Sequence, residues 1–328
     1  MTLGRGPITL DTPATSANLG AGFDALALAL DLADVITVER ADDLASGTVE
    51  LTVSGEGAGA GSGAVVPTDG SDRFTTALRR GLAEALREPR GDASSLHEGS
   101  SWRIRMINAI PLGRGLGSSA AVTVAGLVAA RVLTGGDSLS DEQILRLAIE
   151  MEGHADNAAA VLLGGFTVAS TVDDDPVAVR LDPPADLLAV LYIPDRELAT
   201  SAMRAALPDS VPRVDAVHNV GRAALAVAAF ATGRPELLSA ATEDRLHEPY
   251  RAAVYPELPF MTAAARRAGA LGACLSGSGS SIIAFADDPE LARGVAVALT
   301  GEAERRGLTG RSQVVRTRGE GIIASGRV

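Results

Sequence analysis

The densest chemistry in the chain lies in one stretch: Pro111, Leu112, Gly113, Arg114, Gly115, Leu116, Gly117, Ser118, Ser119, Ala120 and Ala121. Glycines at alternate positions let the backbone take left-handed φ values and approach a ligand with no Cβ in the way. The apolar run 120–133 then spells a helix, whose N-terminus offers unpaired N–H groups and a partial positive charge to a phosphate. Ser118 and Ser119 add hydroxyls suited to phosphate oxygens or to a hard cation. A simple turn needs one glycine, not three around a leucine. This is not a Walker A loop, which ends in Gly-Lys-Ser/Thr, because the chain has no lysine: its 29 basic residues are all arginine. The same absence excludes a Schiff-base lysine and the strand lysine of protein kinases. The G-x-G-x-G spacing also differs from a dinucleotide fingerprint.

Three other places collect polar groups. Residues 13–24 place the Asn18 amide and the Asp24 carboxylate among small residues, a pattern that suits recognition or plain turn formation and capping. Glu150, Glu152, His154, Asp156 and Asn157 fall within eight positions at the end of a helix. A zinc site is rejected there, since His97, His218 and His247 show no matching ligand spacing. Gly277, Ser278 and Gly279 belong to a second glycine-serine loop at 272–281, longer than a hairpin turn requires, which places its backbone against a ligand. Thr200 and Arg204 are one helical turn apart and share a face. Arg245 and Arg251, taken singly, read as surface charges.

The elements that hold these groups alternate without a regular βαβ repeat. Strands are expected at 8–10, 35–39, 48–53 and 102–107, and helices at 25–30, 73–86, 120–133 and 141–153, the last with Ser140 as N-cap and Gly153 as its stop. Strands at 166–171 and 187–193 lead into a tail of helices and short strands. The glycine-rich stretch 55–63 reads as a surface connection and 87–101 as polar and irregular. The layout is α+β, and 328 residues suffice for two domains. With 46% apolar but 3% aromatic residues, the core must be aliphatic and alanine-rich. A net charge of −12 argues against a nucleic-acid partner. The single cysteine, Cys274, forms no internal disulfide and suits a reducing compartment. With no signal-like apolar segment and no membrane-length run, the expectation is a cytoplasmic protein without a membrane partner.

Three segments in order, 13–24, 111–121 and 272–281, resemble the motifs of the GHMP kinase superfamily. Residues 13–24 and the run Glu152-Gly153-His154-Ala155-Asp156-Asn157 resemble its homoserine kinases in particular, as do Thr200 with Arg204 and Glu248-Pro249-Tyr250-Arg251. The resemblance implies a two-domain α+β fold, with an ATP-binding domain at 1–165 and a ferredoxin-like domain at 166–328. It implies the reaction ATP + L-homoserine → ADP + O-phospho-L-homoserine, a step of threonine biosynthesis, with Mg²⁺ and with a homodimer as a possible state. Residues 111–121 and 277–279 would bind the nucleotide. Asn18, Asp24, His154, Asn157, Thr200, Arg204 and Arg251 would bind homoserine, the arginines taking its carboxylate and Asp24 its ammonium. Ser119 and Glu150 would hold Mg²⁺, with Glu152 as the alternative to Glu150. Asn157 falls near the catalytic aspartate of mevalonate kinase-like relatives and cannot act as that base, which points to direct attack by the hydroxyl. Arg114 replaces a small residue, and the asparagine that relatives carry near Asp72 and Arg73 is absent. A mevalonate or sugar kinase and a non-catalytic nucleotide-binding protein remain the alternatives.

Overall fold

The structure, a computed structural model, describes residues 3–4, 6–59, 65–86 and 99–326. Residues 60–63 of the glycine-rich stretch, 87–98 of the polar stretch and His97 with them lie outside the described residues. In chain order the strands are β1 (Ile8–Ala17), β2 (Leu26–Arg40), β3 (Val49–Gly55) and β4 (Trp102–Asn108), with helix α1 (Arg73–Ala85) before β4. Helices α2 (Ser118–Leu133), α3 (Asp141–Glu152) and α4 (Asp156–Leu163) follow, then β5 (Phe166–Val172), β6 (Asp175–Leu181) and β7 (Leu188–Pro194). The second half holds α5 (Thr200–Ala205), α6 (Arg213–Thr232), α7 (Leu238–Ala241), α8 (Glu248–Arg251) and α9 (Leu258–Arg267). It closes with β8 (Gly272–Leu275), β9 (Ile282–Ala286), α10 (Pro289–Arg305), β10 (Gly310–Arg316) and β11 (Ile323–Gly326).

The first sheet runs β11-β1-β2-β4-β3, with the β5–β6 hairpin joined to β2. The run 25–30, expected as a helix, is the start of β2 and pairs on both edges, Ala27 with Ala17 of β1 and with Thr167 of β5. A short unbroken apolar run has no period that tells a helix from a doubly covered strand, and here pairing decides. Hairpin pairing also moves the first sheet past the expected division at residue 165, since Leu26 pairs with Val168 and Phe166 with Leu181. The chain then returns at its far end, where Ile8 of β1 pairs with Gly326 of β11. Helix α2 crosses α1 at very short range: a Cβ on Gly126 would lie 2.5 Å from the Phe74 carbonyl oxygen. Small side chains at this crossing account for a core that holds its density with so few aromatics.

The second sheet is antiparallel in the order β10-β7-β9-β8, the ferredoxin-like order of two interlocked β-α-β units. Strand β7 alternates between two cores. Val190 and Tyr192 face a cluster with Met261 and Leu299 of α9 and α10, while Ala189, Leu191 and Ile193 join the large core shared with the first sheet. Both faces of this sheet are therefore covered. None of the described helices is long and apolar enough to cross a membrane.

Candidate active site

The glycine-rich loop 111–117 enters α2 through Gly117, whose φ of 74° is left-handed, and no side chain caps the helix. The first-turn N–H groups therefore lack a side-chain acceptor and point their dipole into a cleft of about 290 Å³ between the two halves of the chain. The second glycine-serine loop packs directly against the first. Ser276 donates its hydroxyl to the Gly115 carbonyl at 2.7 Å, and the Ser281 N–H bonds the Arg114 carbonyl at 3.0 Å. Gly277 and Ser278 line the cleft as expected, whereas Gly279 does not; its N–H closes a turn on Ser276 at 2.8 Å. The sequence expectation is corrected likewise for Ala121, which is core, whereas Leu112 lines a neighbouring apolar cavity.

Arg114 lines the cleft, but its guanidinium is committed to protein partners. Its guanidinium donates to the carbonyls of Leu112 and Pro194 at 2.8 Å each and of Asp195 at 2.5 Å, and pairs with Glu197 at 3.1 Å. It ties the phosphate loop to the segment between β7 and α5.

Helix phase corrects the choice between the two glutamates. Positions two apart on a helix are about 200° apart around its axis, so only one can face α2. That one is Glu152, which accepts from Ser119 Oγ and Thr123 Oγ1 at 2.7 Å each. Glu150 points to solvent and pairs with Arg80 at 2.9 Å. Arg73, which spacing gave no reason to pick, donates to Glu152 at 2.8 Å and lines both the cleft and the apolar cavity.

Asn157 sits beside the loop, with its Oδ1 accepting from Thr15 Oγ1 at 2.7 Å. Asp156, missed as a site residue, orients the group: its Oδ1 bonds His154 Nδ1 at 2.8 Å and the Asn157 N–H at 2.6 Å. The bond to Asp156 holds the His154 pKa above its ordinary value, against the opposing effect of burial.

Across the cleft, left-handed residues at Asn18, Leu19 and Asp24 fold 18–24 into a tight turn, in which the Asn18 side chain accepts from the Asp24 N–H at 3.0 Å. Asp24 and Arg204 form a two-pronged ion pair at 2.9 and 3.0 Å. Thr200, on the same face of α5, reaches Ser278 at 3.1 Å. Arg251 is 1% exposed and lines the cleft, so it is a site residue rather than a surface charge. Its Nη1 donates to His247 Nδ1 at 3.0 Å and to the Gly277 carbonyl at 3.1 Å, which leaves the Nη2 edge for a ligand. His247 is set in this tautomer because its Nε2 must donate to the Gly20 carbonyl at 2.8 Å. Burial pushes the His247 pKa down to about 4, so the ring stays neutral and accepts from Arg251. Asp244 caps the segment by accepting from the N–H groups of His247 and Glu248 at 2.8 and 2.7 Å.

Glu248 is half-buried, with its carboxyl group tucked beneath this network and its Oε1 accepting from the Leu275 N–H at 2.6 Å. Burial raises its pKa from 4.5 to about 8, outweighing the lowering by that hydrogen bond. Between these two values the folded chain holds a proton that the unfolded chain has lost, so stability falls as pH rises through the window. Glu248→Gln keeps an acceptor oxygen and removes the titration. The variant is expected to melt with the parent near the bottom of the window and a few degrees above it near pH 8. Paired thermal unfolding curves across pH check this, and a difference that does not change with pH contradicts it.

With this geometry in hand, residues 77–165 match the GHMP kinases N terminal domain and residues 226–304 the GHMP kinases C terminal domain. The chain is 44% identical over 283 residues to a homoserine kinase of Streptomyces avermitilis, covering 86% of each. The chain belongs to the homoserine kinase family of GHMP kinases. A homoserine kinase of Streptomyces coelicolor is 44% identical over 282 residues, 85% of this chain and 84% of that one. The crystal structure of a homoserine kinase from Cytophaga hutchinsonii superposes on this GHMP kinase with a TM-score of 0.82 at 29% identity, covering 97% of both chains. The cleft described above therefore lies in a kinase fold, between its two named domains.

Proposed function

We propose that this kinase transfers the γ-phosphoryl group of ATP to the side-chain hydroxyl of L-homoserine, giving O-phospho-L-homoserine for threonine biosynthesis. The observation that carries the reading is the Asp24–Arg204 ion pair with the Arg251 Nη2 edge beside it. An α-amino acid brings one carboxylate and one ammonium. Its carboxylate takes the Arg204 fork and Arg251, its ammonium takes Asp24, and no buried charge loses its partner in the exchange. Asn18, His154 and Thr200 supply the remaining polar contacts around the substrate.

The phosphates lie on the N-terminus of α2. The base enters the adjoining cavity, lined by Val66, Phe74, Met106 and Leu112. Asn108 Oδ1 and Asp72 Oδ2 on that cavity have no hydrogen-bond partner among the described residues, and two acceptors suit the exocyclic amine of adenine. Mg²⁺ fits the hard oxygens of Glu152 and Ser119. The described residues hold no cluster of three or more carboxylate, histidine or cysteine groups, so Mg²⁺ there would take its remaining ligands from the phosphates and water. Bound there, Mg²⁺ supplies charge neutralisation. Asn157 is committed to Thr15 and positions rather than deprotonates. The hydroxyl attacks directly and its proton passes to phosphate or solvent, since a loose phosphoryl-transfer transition state asks mainly for alignment and charge stabilisation.

ADP release with Mg-ATP tests this against L-homoserine, 4-hydroxybutyrate and 3-amino-1-propanol. Each analogue lacks one charge and strands Asp24 or Arg204, so kcat/KM is expected to fall about a hundredfold or more for both. Turnover of either analogue within tenfold of homoserine contradicts the ion-pair exchange, and absence of turnover with homoserine contradicts the substrate.

A further inference from the structure

A nucleoside triphosphate carries close to four negative charges, and the half charge at a helix N-terminus balances little of that. The chain has no lysine to help, and among the described residues four arginines line the cleft: Arg73, Arg114, Arg204 and Arg251. Three are committed elsewhere. Arg114 is taken up by three carbonyls and Glu197, Arg204 by Asp24, and Arg251 by His247 and the second glycine-serine loop. Arg73 differs from them. It stands at the start of α1, 46% of its side chain is exposed, and it is held by Glu152 at 2.8 Å and weakly by the Met151 carbonyl at 3.5 Å. Both cavities share Arg73, Gly113, Ser118 and Ser119, so a nucleotide that spans them passes this guanidinium.

We propose that Arg73 is a further nucleotide-binding residue, which moves from Glu152 to the phosphate chain when nucleotide binds. The inference rests on the reading of the two cavities as a nucleotide site. In this structure Arg73 neutralises the carboxylate that faces Ser119. A cation bound by that carboxylate repels the guanidinium, and phosphate oxygens offer its fork a partner of matching geometry. The swing needs only side-chain rotation, because the guanidinium has open solvent on one side.

Calorimetric titration separates this role from simple charge cancellation. ATP and adenosine are titrated, in the presence of a chelator, into the wild type, R73A, E152Q and the double variant. E152Q is expected to bind ATP several-fold more tightly, since Arg73 is already released. R73A is expected to weaken ATP about tenfold in both backgrounds and to leave adenosine unchanged. If R73A is silent in the E152Q background, Arg73 serves only to balance Glu152 and the proposal fails. An equal loss for adenosine places Arg73 on the base and also overturns it. A wild type that binds neither ligand overturns the nucleotide site itself, and the role of Arg73 with it.

Discussion

Glu152→Ala is expected to lower kcat by about 10²–10³-fold, while Glu150→Ala stays within about twofold of the parent. The two residues share one helix end and one side-chain type, and they differ in direction. Glu152 accepts from the hydroxyls of Ser119 and Thr123, in the first two turns of the helix whose N-terminus faces the cleft. Glu150 is half-exposed and its partner is Arg80 on α1. An exposed pair of that kind contributes at most about 1 kcal/mol, so its loss leaves catalysis untouched. Removing Glu152 takes away the one carboxylate that, among the described residues, accepts from the Ser119 hydroxyl, and with it the proposed Mg²⁺ ligand. The loss belongs in kcat rather than in nucleotide affinity, because Arg73 is released by the same change. Steady-state rates over a Mg²⁺ series check both halves: the Glu152 variant should resist rescue by added metal, and a larger loss from Glu150→Ala would refute the assignment.

The second large effect concerns the loop glycines, where the structure ranks three similar residues. Gly113, Gly115 and Gly117 all have left-handed φ, at 64°, 73° and 74°. That conformation alone makes alanine about 1–2 kcal/mol worse at each position. Space separates them. A Cβ on Gly113 would meet only the flexible end of Glu197, at 3.5 Å. On Gly117 it would lie 1.9 Å from Thr15 Oγ1 and force apart the Thr15–Asn157 bond. On Gly115 it would lie 2.2 Å from the Ser276 carbonyl oxygen and 2.7 Å from the Gly279 nitrogen, backbone that cannot turn aside. Gly115→Ala is therefore expected to lose nearly all activity and to unfold many degrees earlier. Gly117→Ala should lose activity with a smaller drop in Tm, and Gly113→Ala should keep most of both. Melting temperatures and kcat for the three variants decide the order, and equal behaviour would mean that φ strain, not loop-on-loop packing, sets the cost.

Local features were legible because they depend on residues within a few positions of one another. Ser140 does cap α3 in a reciprocal capping box with Gln143, and Gly153 does stop it in a left-handed conformation. Alternate glycines before an apolar run led to an uncapped helix N-terminus, and Thr200 and Arg204 do share a face of α5. Arg73 was overlooked as a site residue because no motif sets it apart from surface charge, and Asp156, though within the 152–157 run, because nothing local shows that it orients His154 and Asn157. Arg251, taken singly, reads as a surface charge and only the family resemblance marks it as a carboxylate ligand; burial against His247 and Phe23 makes it part of the cleft.

The sequence by itself determined the alternating glycines before an apolar helix and the second glycine-serine loop, since φ sign and helix period are properties of short segments, while the candidates for binding an amino acid came from the family resemblance. Only the tertiary structure decided which glutamate faces Ser119, that 26–30 is a strand, and that the 166–181 hairpin and the last strand complete the first sheet. Those outcomes turn on contacts between distant parts of the chain. Thr15 meets Asn157 across 142 positions and Ser16 meets Ser276 across 260. Burial and pairing at such range are cooperative across the whole fold, and no local pattern carries the register that selects them.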